Sequence, residues 1–193
     1  MNHLRPALAL IVLFTLLTGL AFPLAFVGVG HAIPGLAGGS LIERGGTVVG
    51  SALIGQSFTK DEYFHARPSA TTDTDPADST KTVPAPFNAQ NSVGSNAGPT
   101  SQALIDRVTA DVKDAGPTPV PGDMLTTSAS GLDPHISPAN AERQVARVAG
   151  ARKLPEAQVR TLVAGATSGR LLGLIGEPRV DVLALNLALD AAK

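Results

Sequence analysis

Cysteine and tryptophan are absent from the 193 residues, and there is a single tyrosine. Without a thiol the chain forms no disulfide, holds no metal through thiolate and has no cysteine nucleophile. An exported protein can also lack cysteine, so the compartment stays open. Three motifs are missing as well: no GxxxxGK(S/T) phosphate cradle, no GxSxG nucleophile elbow and no HExxH zinc helix occurs. The formal net charge is −1 and Lys and Arg are nowhere clustered, so the electrostatic footprint of a nucleic-acid binder is lacking. The most informative absence is local. From Ala7 to Gly30 the sequence ALALIVLFTLLTGLAFPLAFVGVG carries no Asp, Glu, Lys, Arg, His, Asn or Gln.

A helix over that run spans about 36 Å, more than a hydrocarbon core of roughly 30 Å. The chain therefore reads as a tail and transmembrane anchor, residues 1–33, followed by one polar domain, residues 34–193, large enough to bury a core. Arg5 and the α-amino group precede the anchor, while the first formal charges beyond it, Glu43 and Arg44, cancel. That bias puts the N-terminus in the cytoplasm and the polar domain outside it. Gly30 and Ala32 form a small-x-small pattern compatible with signal-peptide cleavage, but the apolar run exceeds the roughly 7–15 residues of a signal core, so a retained anchor is expected. Thr15 and Gly19 lie four apart on one helical face with Thr18 beside them, a surface on which a second helix can dock. Pro23 removes a backbone donor and predicts a kink near Gly19.

With Gly 20 and Pro 15, long irregular segments are expected between short elements. Ser40-Leu41-Ile42 and Thr47 to Ile54, separated by Glu43-Arg44-Gly45-Gly46, predict a β-hairpin, with Gly50 and Gly55 marking a bulge or a close backbone approach. Tyr63-Phe64 reads as core. Residues 71–99 have no periodicity and read as a long loop, functional or disordered rather than a neutral spacer, whose end, around Gly94-Ser95-Asn96, is turn-forming. A helix capped by Thr100 or Ser101 should run to Ala115 with Leu104, Ile105, Val108 and Val112 on one face, stopped by Gly116 and followed by a stiff strap, Pro117 to Gly122. Ser137-Pro138 opens a helix through Arg152 that buries Ala141, Val145 and Val148. A shorter helix starts near Pro155 with Val159, Leu162 and Val163 inward. The final segment, with Asp181 as its cap, reads as a helix, although its leucines also alternate like a strand. The fold class is α+β: one transmembrane helix, then a mixed extracytoplasmic domain with a short hairpin and several helices.

Two groups invite a chemical reading. Ser57-Phe-Thr-Lys60 matches SxxK, the nucleophile motif of penicillin-binding enzymes, but the companion Ser-Asp-Asn is missing and Lys81-Thr82 is followed by Val83 rather than Gly. Asp133 and His135 place a carboxylate near an imidazole, yet two ligands are too few for a metal. The structural alternative is that Asp133 starts a turn, His135 packs or bonds to backbone, and Ser137 caps the helix. No bound ion is expected in the domain.

Several segments together resemble the C subunit of the bacterial Kdp-type potassium-transporting ATPase, the KdpC family, over nearly the whole chain. They are Arg5-Pro-Ala-Leu8 with Thr18-Gly-Leu20, Gly39-Ser-Leu41, Gly50 to Gln56, Tyr63 to Ala70, Gly94-Ser-Asn96 with Gly98-Pro99, Ser130 to Pro138, and Gly176 to Val180 with Leu185 to Leu189. Small departures are Val93 and Ala97, where Gly and Leu are expected, and Asp181, where Asn is usual. Within these segments Gln56, Tyr63, Phe64, Arg67, Pro68, Ser95, Asn96, Asp133, His135 and Asn186 are expected to serve structure. The resemblance implies a single-pass, non-catalytic subunit of the bacterial inner membrane, its domain outside the cytoplasm. Its partners would be a potassium-pore subunit, a P-type ATPase subunit and a small single-helix subunit. It implies no catalytic residue and no cofactor in this chain, with ATP, Mg and K used by the complex. The implied roles are assembly, modulation of potassium entry, or an effect on the pump's nucleotide affinity. The alternatives are an anchored hydrolase using Ser57 and Lys60, or a tethered binding module using the 71–99 loop.

Overall fold

The computed structural model describes residues 3–192, so the α-amino group in the orientation argument lies outside the described residues. Contacts separate two compact units, Met1–Leu41 and Ile42–Lys193.

In the first unit α1 (Leu4–Leu16), a π-helical turn (Leu17–Ala21) and α2 (Phe22–Ala32) make one continuous helix of 29 residues. At 1.5 Å per residue it is about 44 Å long. None of its side chains is buried, and it is apolar on every face, the pattern of a helix solvated by lipid. The break expected near Gly19 takes the form of the π-helical turn. Pro23 has no N–H to offer the carbonyl of Gly19, and the ladder closes with wider spacing, the Phe22 N–H reaching the carbonyl of Leu17. A short helix α3 (Pro34–Ala37) follows.

The second unit is α+β. Strands β1 (Leu41–Arg44) and β2 (Thr47–Ser51) form the expected hairpin. Its connection is Gly45-Gly46, with φ of +60° and +79°, the conformation a two-residue type I′ turn requires. Because the glycine pair alone makes the reversal, Glu43 and Arg44 belong to the strand rather than to the turn. Strands β3 (Thr72–Thr74) and β4 (Thr82–Pro84) form a second small hairpin inside the stretch that reads as loop. Their side chains are exposed or only half-buried, so no apolar alternation announces them.

The core lies between α6 (Pro138–Arg152), α7 (Glu156–Gly165) and α8 (Val182–Ala191), where Ala141, Val145, Val148, Val159, Leu185 and Leu189 pack around Phe64. Fully burying a Val, Leu or Phe side chain contributes about 1.5–3 kcal/mol. Helix α6 starts as its sequence demands: Ser137 Oγ accepts from the Asn140 N–H and Pro138 opens the first turn. Asp181 Oδ1 accepts from the Ala184 N–H and starts α8, which decides the helix reading over the strand. Strands β5 (His135–Ile136), β6 (Thr167–Ser168) and β7 (Arg179–Asp181) form an antiparallel sheet in the order β5-β7-β6, with Val180 opposite both Ile136 and Thr167.

Helix α4 (Gln102–Ala115) ends at Gly116 as expected, φ +83°, and a short α5 (Gly122–Leu125) follows the strap. Two details differ from expectation. Ser101 makes no side-chain cap bond, and no residue of α4 is fully buried, Ile105 remaining 46% exposed. The helix is tied down by polar contacts instead, Arg107 Nη1 donating to the Leu125 carbonyl at 2.9 Å and Arg143 Nη2 donating to the Ala115 carbonyl at 2.8 Å.

Candidate functional site

After a turn and a bend at residues 61–63, residues 64–68 pass between α6 and α8 outside any strand, and side chains take the place of neighbouring strands. In extended chain, consecutive residues present their N–H and C=O to opposite edges. Asn186 of α8 covers one edge: its Oδ1 accepts from the Phe64 N–H at 2.9 Å and its Nδ2 donates to the Phe64 carbonyl at 3.0 Å. Gln144 of α6 covers the other, its Oε1 accepting from the His65 N–H at 2.8 Å and its Nε2 donating to the His65 carbonyl at 3.1 Å. Arg147 donates to the carbonyls of Asp61 at 2.7 Å and Tyr63 at 3.0 Å. Arg152 donates to the Glu62 carbonyl at 2.6 Å and to Asp190 at 2.8 Å, with its guanidinium 4.9 Å from the centroid of the Tyr63 ring. The Tyr63 hydroxyl reaches the same Asp190 at 3.4 Å. Burial lowers the His65 pKa below its ordinary value; the bond to the Lys60 carbonyl opposes this and the Arg147 charge adds to it. Because a carbonyl only accepts, the His65 Nε2 at 3.1 Å from Lys60 O carries the proton.

The second constellation joins Arg67, Asp133 and His135. Arg67 Nη1 donates to Asp133 Oδ2 at 3.0 Å, and its other nitrogens donate to the carbonyls of Thr126 and Thr127 at 3.3 Å. Asp133 Oδ1 accepts from the His135 N–H at 3.0 Å, an Asx turn, and lies 3.3 Å from His135 Nδ1. Beside it Asp123 gathers the start of α6, accepting from Ser137 N at 2.7 Å, Ser137 Oγ at 2.8 Å and Asn140 Nδ2 at 2.9 Å. Burial alone would raise the Asp123 pKa, but the donors from Ser137 and Asn140 outweigh it and the net shift is downward. Arg67, Asp133, His135, Glu177 and Arg179 line an open depression of about 270 Å³.

The 71–99 stretch is fastened by two hydroxyls. Ser69 Oγ donates to the Gly131 carbonyl at 2.7 Å and accepts from Phe87 N, while Thr71 Oγ1 donates to the Ala85 carbonyl at 2.6 Å and accepts from Asn88 N. The glycines flagged in the sequence are close approaches: a Cβ on Gly50 would run into the Gln56 amide and Leu183, and one on Gly55 into the Phe87 ring and, at 2.8 Å, the Asp133 carbonyl. Gln56 itself donates to the Val49 carbonyl at 2.7 Å.

The structure thus brings Phe64 together with Asn186, and Arg67 with Asp133 and His135. Pro68 lines a separate depression of about 240 Å³ with His65, Met124 and Gln144. Ser95 and Asn96 are exposed, Asn96 at φ +50°. Ser57 and Lys60 are exposed in non-helical chain, so their i,i+3 spacing does not put them on one face; Lys60 lies 3.7 Å from Glu62 instead. Thr15, Thr18 and Gly19 belong to the apolar helix, where Thr18 Oγ1 donates to the Phe14 carbonyl at 2.7 Å. Sequence reasoning missed Gln144, Arg147, Arg152 and Asp123. The signal was available for one of them: Asn140 and Gln144 sit on the buried stripe of α6 with Ala141, Val145 and Val148, and an amide on an apolar face must find partners.

Every described buried side-chain polar atom has a partner, and among the described residues no three His, Asp or Glu side chains group to hold a metal ion. These groups fasten segments to one another. The chain is 63% identical to a potassium-transporting ATPase KdpC subunit of Methylobacterium nodulans, over 98% of this chain and 97% of that one. It is 62% identical to proteins of the same name in Methylorubrum extorquens, over 100% and 99% of the two chains, and in Rhodopseudomonas palustris, over 100% of both. The family model described as the c chain of K+-transporting ATPase matches residues 4–191, which takes in the apolar helix, the bracketed segment and α8 alike, and the chain therefore belongs to the KdpC family.

Proposed function

We propose that this chain is a non-catalytic accessory subunit of a high-affinity, ATP-driven potassium uptake complex, holding a pore subunit and a P-type ATPase subunit together and modulating potassium entry. The observation that carries the reading is the consumption of its motif residues. Asn186, Arg67 and Asp133 are engaged with backbone and with each other, so they build a rigid body and none of the three is poised as a nucleophile or base. In this reading a small single-helix subunit completes the assembly. ATP, Mg and K are handled by the other subunits, and this chain carries no cofactor. The apolar helix crosses the bacterial inner membrane with its N-terminus in the cytoplasm, and Arg5 ahead of the run supports that direction. The domain then lies outside, on the side from which potassium enters.

The test is purification of the tagged full-length chain from its own membranes in mild detergent, with mass spectrometry of what accompanies it. Recovery of a P-type ATPase and a large polytopic pore subunit in comparable amounts is expected. A chain that emerges alone and monodisperse would remove the accessory-subunit reading.

A further inference from the structure

Thr18 is the middle residue of the 29 that make the apolar helix Leu4–Ala32, and its carbonyl has lost its place in the hydrogen-bond ladder. A regular α-helix would bond it to the Phe22 N–H, but that group reaches the carbonyl of Leu17 instead. The next residue along, Pro23, has no N–H to give. The π-helical turn thus leaves the Thr18 carbonyl without a backbone donor four or five residues on. Each arm of the helix beyond Thr18 is about 21 Å long, more than half of a hydrocarbon core of roughly 30 Å, so this acceptor lies near the middle of the bilayer that the helix crosses.

An unpaired carbonyl is costly in hydrocarbon. Freed backbone groups in membrane helices are satisfied by nearby hydroxyls, by local widening of the turn, by ordered water or by neighbouring helices. The first two are already in use here. Thr18 Oγ1 donates back to the Phe14 carbonyl at 2.7 Å, and the widened turn is what diverts the Phe22 N–H. A held water needs several polar partners, yet Thr15 and Thr18 are the only polar side chains from Ala7 to Gly30. Lipid tails carry no donor, which leaves a neighbouring helix.

We infer that the Thr18 carbonyl accepts a hydrogen bond from the hydroxyl of a Ser or Thr on a transmembrane helix of another subunit of the same complex. The inference rests on the accessory-subunit reading and names one bond by which the anchor would recognise its neighbour. Gly19 sets the length of the donor. No side chain covers the helix there, the nearest atom to an added Cβ being Thr15 Cγ2 at 4.0 Å, so a partner backbone comes close and a short side chain reaches the carbonyl. A second copy of this chain does not supply the donor. Its only candidates in the span are Thr15 and Thr18, and the Thr18 hydroxyl is committed to Phe14. In a parallel pair Thr15 sits about 4.5 Å nearer the N-terminus than Thr18, whereas helix carbonyls point toward the C-terminus.

The test exploits the sequence, because Thr18-Gly19 is the only Thr-Gly pair in the chain. Isotopic labelling of the threonine carbonyl carbon and the glycine nitrogen therefore selects one carbonyl signal by NMR, that of Thr18. It is recorded for the full-length wild-type chain alone in lipid bilayers and for the same chain in the complex with the other subunits. A downfield shift on entering the complex is expected as the hydrogen bond forms. The same position in both states would overturn the inference while leaving the accessory role intact, and a shift that appears in the chain alone as the protein-to-lipid ratio rises would assign the donor to a second copy and overturn it as well. A wild-type chain recovered without partner subunits would sink the accessory role and the inference with it. Pro23→Ala returns an N–H to the ladder and frees the Phe22 N–H for Thr18, so the partner subunits should leave the detergent-purified complex roughly three- to tenfold faster. An unchanged dissociation rate would count against the bond.

Discussion

Asn186 places both hydrogen-bonding groups of its amide on the backbone of one residue, Phe64, accepting from the N–H at 2.9 Å and donating to the carbonyl at 3.0 Å. Both residues are buried, so neither backbone group has water to fall back on. Replacing the amide with the similarly sized, apolar Leu leaves a buried donor and acceptor unpaired, each worth about 1–3 kcal/mol. Asn186→Leu should therefore destabilise the full-length chain by roughly 2–4 kcal/mol, read as a lowered midpoint in denaturant. A change below about 1 kcal/mol would mean the bracket is replaceable by packing.

Stability should also respond to pH through His65. Burial, the bond to Lys60 O and the Arg147 charge together leave its folded pKa below the ordinary 6.5, so the unfolded chain binds the proton more readily. The contribution is complete above pH 6.5, declines as pH falls through that value, and levels off below the folded pKa. A thermal-midpoint series from pH 8 to 5 should show this decline, reduced in His65→Gln. Equal slopes in the two proteins would assign the pH dependence to another group.

The elements legible in the sequence are those whose signals are local. Gly45-Gly46 sets the first hairpin, Ser137-Pro138 opens α6, and Asp181 caps α8. Apolar spacing found Ala141, Val145, Val148, Val159 and Val163. The bracket around residues 61–68 escaped because Gln144 and Asn186 pair with backbone 79 and 122 positions away, and no periodicity encodes that. The β3–β4 pair escaped because its faces are not apolar. Asp123 escaped because an acidic residue in so short a helix as α5 has the same appearance in sequence whether it caps another helix or faces solvent.

Gly55 tests the close packing under the Asp133 turn. A Cβ there would stand 2.8 Å from the Asp133 carbonyl, which is backbone and cannot swing away, as well as against the Phe87 ring. Gly55→Ala should cost about 1–3 kcal/mol. Gly98→Ala, where nothing lies within 4 Å, should leave the unfolding midpoint unchanged. Similar midpoints for the two variants would contradict the approach seen at Gly55.

An anchored hydrolase would need Ser57 activated by Lys60. With both exposed in non-helical chain and Lys60 beside Glu62 at 3.7 Å, the lysine is not placed to take a proton from the serine. A serine-reactive acylating probe should leave the full-length chain unlabelled at Ser57. Labelling that disappears in Ser57→Ala would restore the hydrolase reading.

The last prediction concerns the apolar helix. Gly19 lies in the π-helical turn, and a Cβ added there meets nothing nearer than Thr15 Cγ2 at 4.0 Å. A Cβ is therefore accommodated on the helix without a clash, and a larger side chain adds bulk to this face. If Thr15 and Gly19 form the face on which a partner helix rests, Gly19→Leu pushes that partner away. Loss of a close helix contact in a bilayer is worth about 1–2 kcal/mol, or roughly a five- to thirtyfold weaker association. Leu24→Ala, on the same helix, serves as the control: it removes bulk without blocking close approach. Recovery of partner subunits should fall in Gly19→Leu and hold in Leu24→Ala. Equal recovery in both would move the docking face elsewhere on the helix, because bulk at Gly19 would then meet no neighbouring helix.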